Sequence, residues 1–194
     1  MRIGLMGGTF DPIHLGHLRA AESAREALGL DLVAFLPSAV PPHRTAPISP
    51  AADRLSMTSL ATASQPCFAV WDTELRRPGP SYTVETVATL LRERPDDAFV
   101  LIVGSDTWAE MTTWREPERL LSLVEVAVVD RPGGTAGPIV SPFPAARGVH
   151  RVAGIALPIS ATAIRERVRR GGSVRYLVPD GVADYIAQRR LYAS

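Results

Sequence analysis

The stretch IGLMGGTFDPIHLGHLRAAESAREALG (Ile3–Gly29) decides the fold of this 194-residue chain. It begins with Ile3–Met6, an apolar run typical of a buried strand, and the Gly-Gly pair that follows predicts the end of that strand. Leu15–Leu28 then repeats apolar residues on one helical face, and Gly29 is typical of a residue that closes a helix. A strand followed by a helix is half of a βαβ unit, which is built around a parallel sheet.

The same alternation of short apolar runs and longer helical patterns continues along the chain. Further strands are predicted at Leu32–Leu36, Phe68–Trp71, Phe99–Val103, Val124–Val129 and, from a weaker apolar pattern, Val149–Ala153. Further helices are predicted at Ala51–Ala63, Pro117–Leu123, Ala163–Arg170 and Gly181–Arg189. One more is predicted to begin after Thr83, which would be its N-terminal cap. Together they indicate an α/β fold, a Rossmann-like doubly wound parallel sheet in three α/β/α layers with C-terminal helices.

The topology of such a sheet also predicts where a ligand binds. The first strand usually lies centrally, and ligands bind beyond the carboxyl ends of the strands, where the strand order reverses. We therefore expect the loop after the first strand, Gly7–His14, to lie beside the loop after the fourth strand, Gly104–Trp108. Both loops are rich in glycine and polar residues, and we expect the functional site between them.

The composition is that of an ordinary globular protein, with 46% hydrophobic and 21% charged residues. A net charge of +1 gives no bulk attraction to nucleic acid or to an anionic membrane. The longest apolar runs, such as Ala98–Gly104, are too short to span a bilayer. Because Cys67 is the one cysteine, no internal disulfide can form. We expect a soluble cytoplasmic protein without a nucleic-acid or membrane partner.

We expect one domain over residues 1–194. The Pro- and Gly-rich stretch Arg131–Gly148 has two interpretations, a linker between domains or a long surface loop of one domain. The chain after Gly148 is short for an independent domain, so the loop is favoured.

The pair His14 and His17 has three interpretations: a metal site, a phosphate site, or packing. The two rings lie one helical turn apart at a helix start, where free N–H groups and the helix dipole bind phosphate. As metal ligands they need a third group, for which Asp11 is the nearest candidate. Two histidines beside Gly7-Gly8 argue against plain packing. Neither a G-x-G-x-x-G nor a G-x-x-x-x-G-K-[ST] motif is present, so this is a phosphate site of another type.

Two stretches together resemble a known family. GGTFDPIHLGH resembles the H-x-G-H signature of a nucleotidyltransferase superfamily, and ISATAIR (Ile159–Arg165) resembles its second signature. On its own, ISATAIR predicts a helix start where Ser160 and Thr162 hydroxyls and free amides hold phosphate near Arg165. Class I aminoacyl-tRNA synthetases share a related histidine motif, but they are longer and carry a K-M-S-K-S-type loop that is missing here.

Further stretches resemble the bacterial nicotinate mononucleotide adenylyltransferases within that superfamily. They are PPHR (Pro41–Arg44), SYT (Ser81–Thr83), GSDTWAEMTTW (Gly104–Trp114), RPG (Arg131–Gly133) and VPDGVADYI (Val178–Ile186). The resemblance implies adenylyl transfer from ATP to nicotinate mononucleotide in NAD biosynthesis, giving deamido-NAD and pyrophosphate. It implies in-line attack without a covalent intermediate and Mg²⁺ carried by ATP, with no metal site of the protein's own. It leaves the oligomeric state open, a homo-oligomer included.

The resemblance also implies roles for individual residues. His14, His17 and Arg165 are the implied catalytic residues. The implied ATP-binding residues are Gly7, Gly8, Thr9, Phe10, His14, His17, Gly104, Asp106, Ile159, Ser160, Thr162 and Arg165. The implied residues for nicotinate mononucleotide are Arg44, Tyr82, Thr83, Trp114 and Arg131. Trp114 stacks on the pyridine ring, Thr83 holds its carboxylate at a helix start, and Arg44 approaches the phosphate. Arg115 departs from the family pattern and receives no role.

Three rival activities share much of this pattern. Phosphopantetheine adenylyltransferases have both signatures but shorter chains that lack the PPHR, SYT and tryptophan set. These phosphopantetheine enzymes are the nearest rival, and an adenylyltransferase that prefers nicotinamide mononucleotide is another. A non-catalytic nucleotide sensor is the rival of a different class, and the intact His14, His17 and Arg165 argue against it.

Overall fold

The computed structural model describes residues 1–40, 48–130, 139, 141–154 and 157–193. The described strands are β1 (Arg2–Gly8), β2 (Leu32–Pro37), β3 (Phe68–Val70), β4 (Ala98–Gly104), β5 (Glu125–Val129) and β6 (Val149–Val152). The described helices are α1 (Leu15–Leu28), α2 (Ala51–Thr62), α3 (Thr83–Glu93), α4 (Ser105–Ala109), α5 (Pro117–Leu123), α6 (Ala161–Arg169) and α7 (Asp180–Gln188). A 3₁₀ turn, Met111–Thr113, follows α4.

The strands form one parallel sheet in the order β3-β2-β1-β4-β5-β6. The chain starts in the middle, winds to the β3 edge, and returns to the other side through β4. This order is that of a Rossmann-like doubly wound fold, so the predicted fold class is confirmed. β1 and β4 are neighbouring strands, paired from Arg2 and Ala98 to Leu5 and Leu101. The loops after them therefore leave the same edge of the sheet from adjacent strands.

Two hydrophobic cores lie on opposite faces of the sheet. The first core packs the sheet against α1, α2, α6 and α7, with Ala21, Met57 and Ile164 among its buried residues. The second core packs the other face against α3 and α5. Side chains alternate along β1, so Met6 lies in the first core while Ile3 and Leu5 lie in the second. The three predicted layers are therefore confirmed.

Two predicted boundaries near the carboxyl edge were wrong. β1 continues through Gly7 and Gly8, because these residues pair with Leu36 and Pro37 of β2 and the sheet keeps them extended. Thr83 is the first residue of α3 rather than its cap, and Tyr82 occupies the capping position. Both shifts move a predicted ligand-binding stretch by one or two residues, the usual uncertainty of a boundary.

The predicted loop after the fourth strand contains α4, which the sequence analysis missed. Asp106 lies in the first turn of this helix, and Gly104 occupies its capping position. Five residues are too few to show a helical period, so no pattern could predict the helix. Its effect is to fix Asp106 on a regular element directly beyond β4.

The C-terminal helix is fastened to α2. The Tyr185 hydroxyl donates a hydrogen bond of 2.8 Å to Oδ1 of buried Asp53, and Arg189 Nε contacts the same oxygen at 3.3 Å. In the described part of Arg131–Gly148, Phe143 and Ala146 pack on the second core. Within the described ranges, no helix is both long and apolar enough to cross a membrane.

Candidate functional site

The turn between β1 and α1 is shaped by Phe10. Its backbone has a φ of 50°, a left-handed conformation that costs a non-glycine residue roughly 1–2 kcal/mol. The Phe10 ring is buried and packs edge-on against His17, with 5.2 Å between ring centroids. A Cβ on Gly8 would lie 2.9 Å from Phe10 Cε1, so this glycine leaves room for the ring. Strained residues of this kind are typical of functional sites.

His14 and His17 form a stacked pair at the start of α1. Their ring centroids are 3.7 Å apart with an angle of 24° between the planes. The His14 backbone N–H donates a hydrogen bond of 3.2 Å to Nδ1 of His17. Because Nδ1 accepts, the proton of a neutral His17 ring lies on Nε2, which makes Nε2 a donor suited to an anion.

Gly16 keeps this pair in place. A Cβ at Gly16 would lie 3.0 Å from Nδ1 of His14 and 3.1 Å from its Cε1, tighter than most real contacts. The same Cβ would lie 3.8 Å from the carbonyl oxygen of Ile159, so the second signature stretch passes next to the first. A larger residue between the two histidines would therefore press on the His14 ring, which explains why this position is glycine.

The second signature stretch closes on the same place. Ser160 caps α6, and its hydroxyl accepts a hydrogen bond of 3.2 Å from the Ala163 backbone N–H. Arg165 donates from Nη1 to the Asp11 carbonyl at 2.8 Å and from Nη2 to the Thr162 hydroxyl at 3.2 Å. Its Nε is buried and has no hydrogen-bond partner within the described residues. The structure thus brings ISATAIR against the loop that carries His14 and His17.

The Asp11 carboxylate is not aimed at the histidine pair. Its Oδ1 accepts a hydrogen bond of 2.7 Å from the Tyr192 hydroxyl. Its Oδ2 accepts from the backbone N–H groups of Ile48 at 2.8 Å and Ser49 at 3.3 Å. Among the residues that the structure describes, no group of three acidic, histidine or cysteine side chains is placed to bind a metal ion. The interpretation of Asp11 as a third metal ligand is therefore not supported.

Buried Arg54 of α2 was missed by the sequence analysis. Its guanidinium donates to four carbonyl oxygens, those of Thr9 at 2.8 Å, Ser38 at 2.7 Å, Ser49 at 3.3 Å and Ala39 at 3.4 Å. Burial lowers the pKa of Arg54, and the nearby Asp11 carboxylate opposes that change. The available signal was the position of Arg54 on the apolar face of α2, because an arginine that is merely solvated would be expected on the polar face. Arg54 ties the chain after β1 to the chain after β2.

A second side of the site surrounds the start of α3. Ser81 is bonded to the chain after β2, because its hydroxyl accepts from Ala39 N–H and its backbone N–H donates to the Val40 carbonyl, both at 2.9 Å. Tyr82 and Thr83 follow at the start of the helix, and both are half-buried. Trp114 is half-buried against the second core, so it has a packing role whatever else it contacts.

Arg115 lies beside Tyr82. Its guanidinium carbon lies 4.5 Å from the centroid of the Tyr82 ring, a cation–π distance. About half of the Arg115 side chain is exposed, and its Nε lies 3.7 Å from Oε1 of Glu116. This arrangement puts a positive charge next to the N-terminus of α3, which the sequence analysis did not foresee.

Glu74 is buried beneath the same helix. Its Oε1 accepts a hydrogen bond of 2.9 Å from the Thr86 hydroxyl. Burial raises the pKa of Glu74 above its ordinary value, although hydrogen bonds from Thr86 and Ser81 and the charge of Arg77 partly offset this. The carboxyl group supports the turn that leads into Tyr82 and Thr83.

Of the predicted site residues, most lie at the carboxyl edge of the sheet. Gly7, Gly8, Thr9, Phe10, His14 and His17 follow β1, Gly104 and Asp106 follow β4, and Ile159, Ser160, Thr162 and Arg165 enclose the histidine turn. Tyr82, Thr83 and Trp114 lie on the second side. Arg44 and Arg131 lie outside the described residues.

The sequence matches known proteins along its whole length. The family described as cytidylyltransferase-like matches residues 5–167. A Geobacter metallireducens protein named "Probable nicotinate-nucleotide adenylyltransferase" is 44% identical over 214 residues, covering 99% of this chain and 98% of that protein. A Thermus thermophilus protein of the same name is 46% identical over 195 residues, covering 99% of this chain and 100% of that one.

Solved structures agree on the fold. The structure titled "Plasmodium falciparum nicotinic acid mononucleotide adenylyltransferase complexed with NaAD" superposes with a TM-score of 0.77, covering 98% of this chain and 97% of that chain. The same protein "complexed with APC" also gives a TM-score of 0.77. Both are 17% identical in sequence, so this likeness concerns the fold.

Proposed function

This chain belongs to the cytidylyltransferase-like family and, within it, to the nicotinate-nucleotide adenylyltransferases, and we propose that it transfers the adenylyl group of ATP to nicotinate mononucleotide. The products are deamido-NAD and pyrophosphate. The predicted enzyme class, a nucleotidyltransferase of NAD biosynthesis, is confirmed by this membership.

We assign the ATP phosphates to the space between the turn after β1 and the start of α6. His17 offers Nε2–H, since its Nδ1 already accepts from the His14 backbone. Arg165 lies against the same turn through its bond to the Asp11 carbonyl. His14, His17 and Arg165 are the proposed catalytic residues, since they supply the positive charge and hydrogen bonds for the triphosphate. Gly104 and Asp106 are proposed neighbours of the adenosine.

We assign nicotinate mononucleotide to the second side of the site. Trp114 presents a half-buried ring for stacking, and Thr83 presents a hydroxyl and a backbone amide at the start of α3. A helix N-terminus favours a carboxylate over a neutral amide, and the Arg115 guanidinium above Tyr82 adds to this preference. Arg44 and Arg131 remain proposed contacts for this substrate.

The reaction needs positioning more than covalent chemistry. An oxygen of the mononucleotide phosphate attacks the α-phosphorus of ATP in line, and the bond from that phosphorus to the bridging oxygen breaks as pyrophosphate leaves. Negative charge then accumulates on the leaving group, where His17 and Arg165 stabilise it. No protein nucleophile takes part, so no covalent intermediate forms.

Mg²⁺ enters with ATP in this proposal. The side chains offered at the phosphate end are imidazole and guanidinium, which suit phosphate oxygens, whereas Mg²⁺ prefers oxygen ligands and keeps several waters. We further propose that residues 1–194 act as one domain, in support of which one sheet carries both sides of the site, and that the enzyme works in the cytoplasm.

The observation that carries the proposal is the contact between the two signature stretches, the 2.8 Å bond from Arg165 to the Asp11 carbonyl. The test supplies ATP and Mg²⁺ with each of three acceptors: nicotinate mononucleotide, nicotinamide mononucleotide and phosphopantetheine. We expect pyrophosphate release to be fastest with nicotinate mononucleotide. Release with phosphopantetheine alone would identify a phosphopantetheine adenylyltransferase. Faster release with nicotinamide mononucleotide would identify an enzyme that prefers the amide. No release with any acceptor would favour a non-catalytic nucleotide sensor.

A further inference from the structure

We propose that Asp11 is a positioning residue for adenylyl transfer, held in place by the hydroxyl of Tyr192 near the C-terminus. This inference rests on the proposed function, because it concerns how the catalytic groups of that reaction are aligned. Asp11 touches neither substrate in this proposal. It acts through Arg165 on one side and through the chain at Ile48 and Ser49 on the other.

Asp11 joins three parts of the chain that are distant in sequence. Its backbone carbonyl accepts from Arg165 across 154 positions, at 2.8 Å. Its carboxylate accepts from the Tyr192 hydroxyl across 181 positions, at 2.7 Å. The other carboxylate oxygen accepts from the amides of Ile48 and Ser49. One buried residue therefore fixes the α6 arginine, the C-terminal segment and the start of α2 relative to the histidine turn.

The surroundings of Asp11 make this geometry rigid. The residue is 4% exposed and Tyr192 is 7% exposed, so both lie largely out of contact with water. Buried hydrogen bonds to a charged group are stronger than neutral ones, and a buried carboxylate left without its donors is costly. Burial and the Asp11 charge raise the pKa of Tyr192 above its ordinary value, which keeps the phenol protonated and able to donate.

The C-terminal segment is folded to reach this point. After α7, Leu191 N–H donates to the Ile186 carbonyl at 3.0 Å, and Tyr192 adopts a left-handed φ of 63°. Such a conformation is unfavourable for a tyrosine, so contacts of the folded protein must hold it. The Tyr192 hydroxyl bonds to Asp11 and also interacts with the Ser49 side chain, and these polar contacts help to hold it.

The hydrogen bonds of Asp11 control the position of the Arg165 guanidinium. Two of its guanidinium nitrogens are bonded within the protein, to the Asp11 carbonyl and to Thr162. A shift of the Asp11 backbone therefore moves the guanidinium relative to the histidine pair. Because misplacement of a catalytic group by about 1 Å can cost roughly a hundredfold in rate, a small relaxation of Asp11 lowers turnover without unfolding the protein.

The experiment compares two matched substitutions, Tyr192→Phe and Tyr185→Phe. Each removes one phenol hydroxyl from the C-terminal segment and one hydrogen bond to a buried aspartate, at 2.7 Å to Asp11 and 2.8 Å to Asp53. The bond to Asp53 fastens α7 to α2 without touching the histidine turn. Thermal unfolding and steady-state kinetics with ATP and nicotinate mononucleotide are measured for both variants and the unaltered enzyme.

We expect both variants to lose similar amounts of thermal stability. Only Tyr192→Phe should lower kcat, by about tenfold, while KM for either substrate changes less than kcat does. Asp11→Asn should lower kcat as well, and adding Tyr192→Phe to it should cost little more, since the two act through one contact. If Asp11→Asn fails to fold, the two tyrosine variants still decide the matter.

Equal kcat values for Tyr192→Phe and Tyr185→Phe would overturn this inference and leave the proposed function standing. An unaltered protein without activity on nicotinate mononucleotide would overturn both together. A strictly additive double variant of Asp11 and Tyr192 would also count against a shared role.

Discussion

Arg165 and Asp11, separated by 154 positions in the chain, meet through a 2.8 Å hydrogen bond from a guanidinium N–H to a main-chain carbonyl. This bond joins α6 to the turn between β1 and α1, the turn that leads into the stacked rings of His14 and His17. Each stretch alone has an ordinary structural explanation. Their contact supports the proposal that the glycine-rich turn and the capped helix act together as one phosphate site.

Replacement of His17 should remove turnover and leave the fold. His17→Ala loses the Nε2–H donor to the triphosphate, and we expect kcat to fall on the order of a hundredfold or more. His150→Ala is the control. His150 lies on β6 and contacts Glu125 at 2.9 Å, and Glu125 begins β5 at the amino-terminal edge of the sheet, away from the candidate site. Turnover of His17→Ala near that of the control, in the same pyrophosphate assay, would contradict the role of His17.

The two adjacent glycines after Met6 should respond differently to alanine. Apart from its chain neighbours, no atom of the described residues lies within 4 Å of a Cβ at Gly7, whereas a Cβ at Gly8 would press on Phe10. We expect Gly7→Ala to keep its melting temperature and to raise KM for ATP about tenfold, a change of about 1.4 kcal/mol. Gly8→Ala should lose stability. An unchanged KM for ATP in Gly7→Ala would show that the nucleotide does not approach this glycine.

The preference for an acid over an amide should depend on Arg115. Arg115→Ala removes the charge above Tyr82, and we expect the ratio of kcat/KM for nicotinate over nicotinamide mononucleotide to fall about three- to tenfold, a modest change because half of the side chain is exposed. Arg119→Ala is the matched control, since Arg119 pairs with the same Glu116 at 2.9 Å. An unchanged ratio in Arg115→Ala, or an equal fall in both variants, would contradict a specific role for Arg115.

Glu74 should make stability depend on pH in a defined direction. Its pKa is raised in the folded protein by burial, so the folded state binds the proton more tightly than the unfolded state does. The free energy of unfolding therefore falls as pH rises from about 4.3, the ordinary value, through the raised pKa. Glu74→Gln removes this titration, and its stability relative to the unaltered protein should rise with pH across that window. Urea unfolding at several pH values tests this, and a pH-independent difference would contradict it.

The parts of the fold with strong patterns were predictable. α1 was predicted at its observed bounds because its apolar face is long and Gly29 closes it with a left-handed φ of 59°. α4 was not predictable, because five residues show no period. The end of β1 was misjudged since glycine is read as a breaker, while pairing with β2 holds Gly7 and Gly8 extended.

The residues of the candidate site that stand in motifs could be predicted from the sequence. Buried residues that belong to no motif could not. His14, His17 and Arg165 stand in recognisable stretches, and the structure brings those stretches together. Arg54 and Tyr192 belong to no motif, and their roles come from hydrogen bonds to groups that only the folded chain brings near. Asp11 was considered as a metal ligand because sequence gives proximity but not the direction of a carboxylate.

The fate of the α-phosphate of ATP tests the proposed adenylyl transfer most directly. The enzyme is given ATP labelled at the α-phosphorus, Mg²⁺ and nicotinate mononucleotide, and the products are separated by chromatography. We predict that the label appears in deamido-NAD and that the pyrophosphate released in equal amount carries none. Label recovered as AMP, or left in ATP with no dinucleotide formed, would contradict adenylyl transfer to nicotinate mononucleotide.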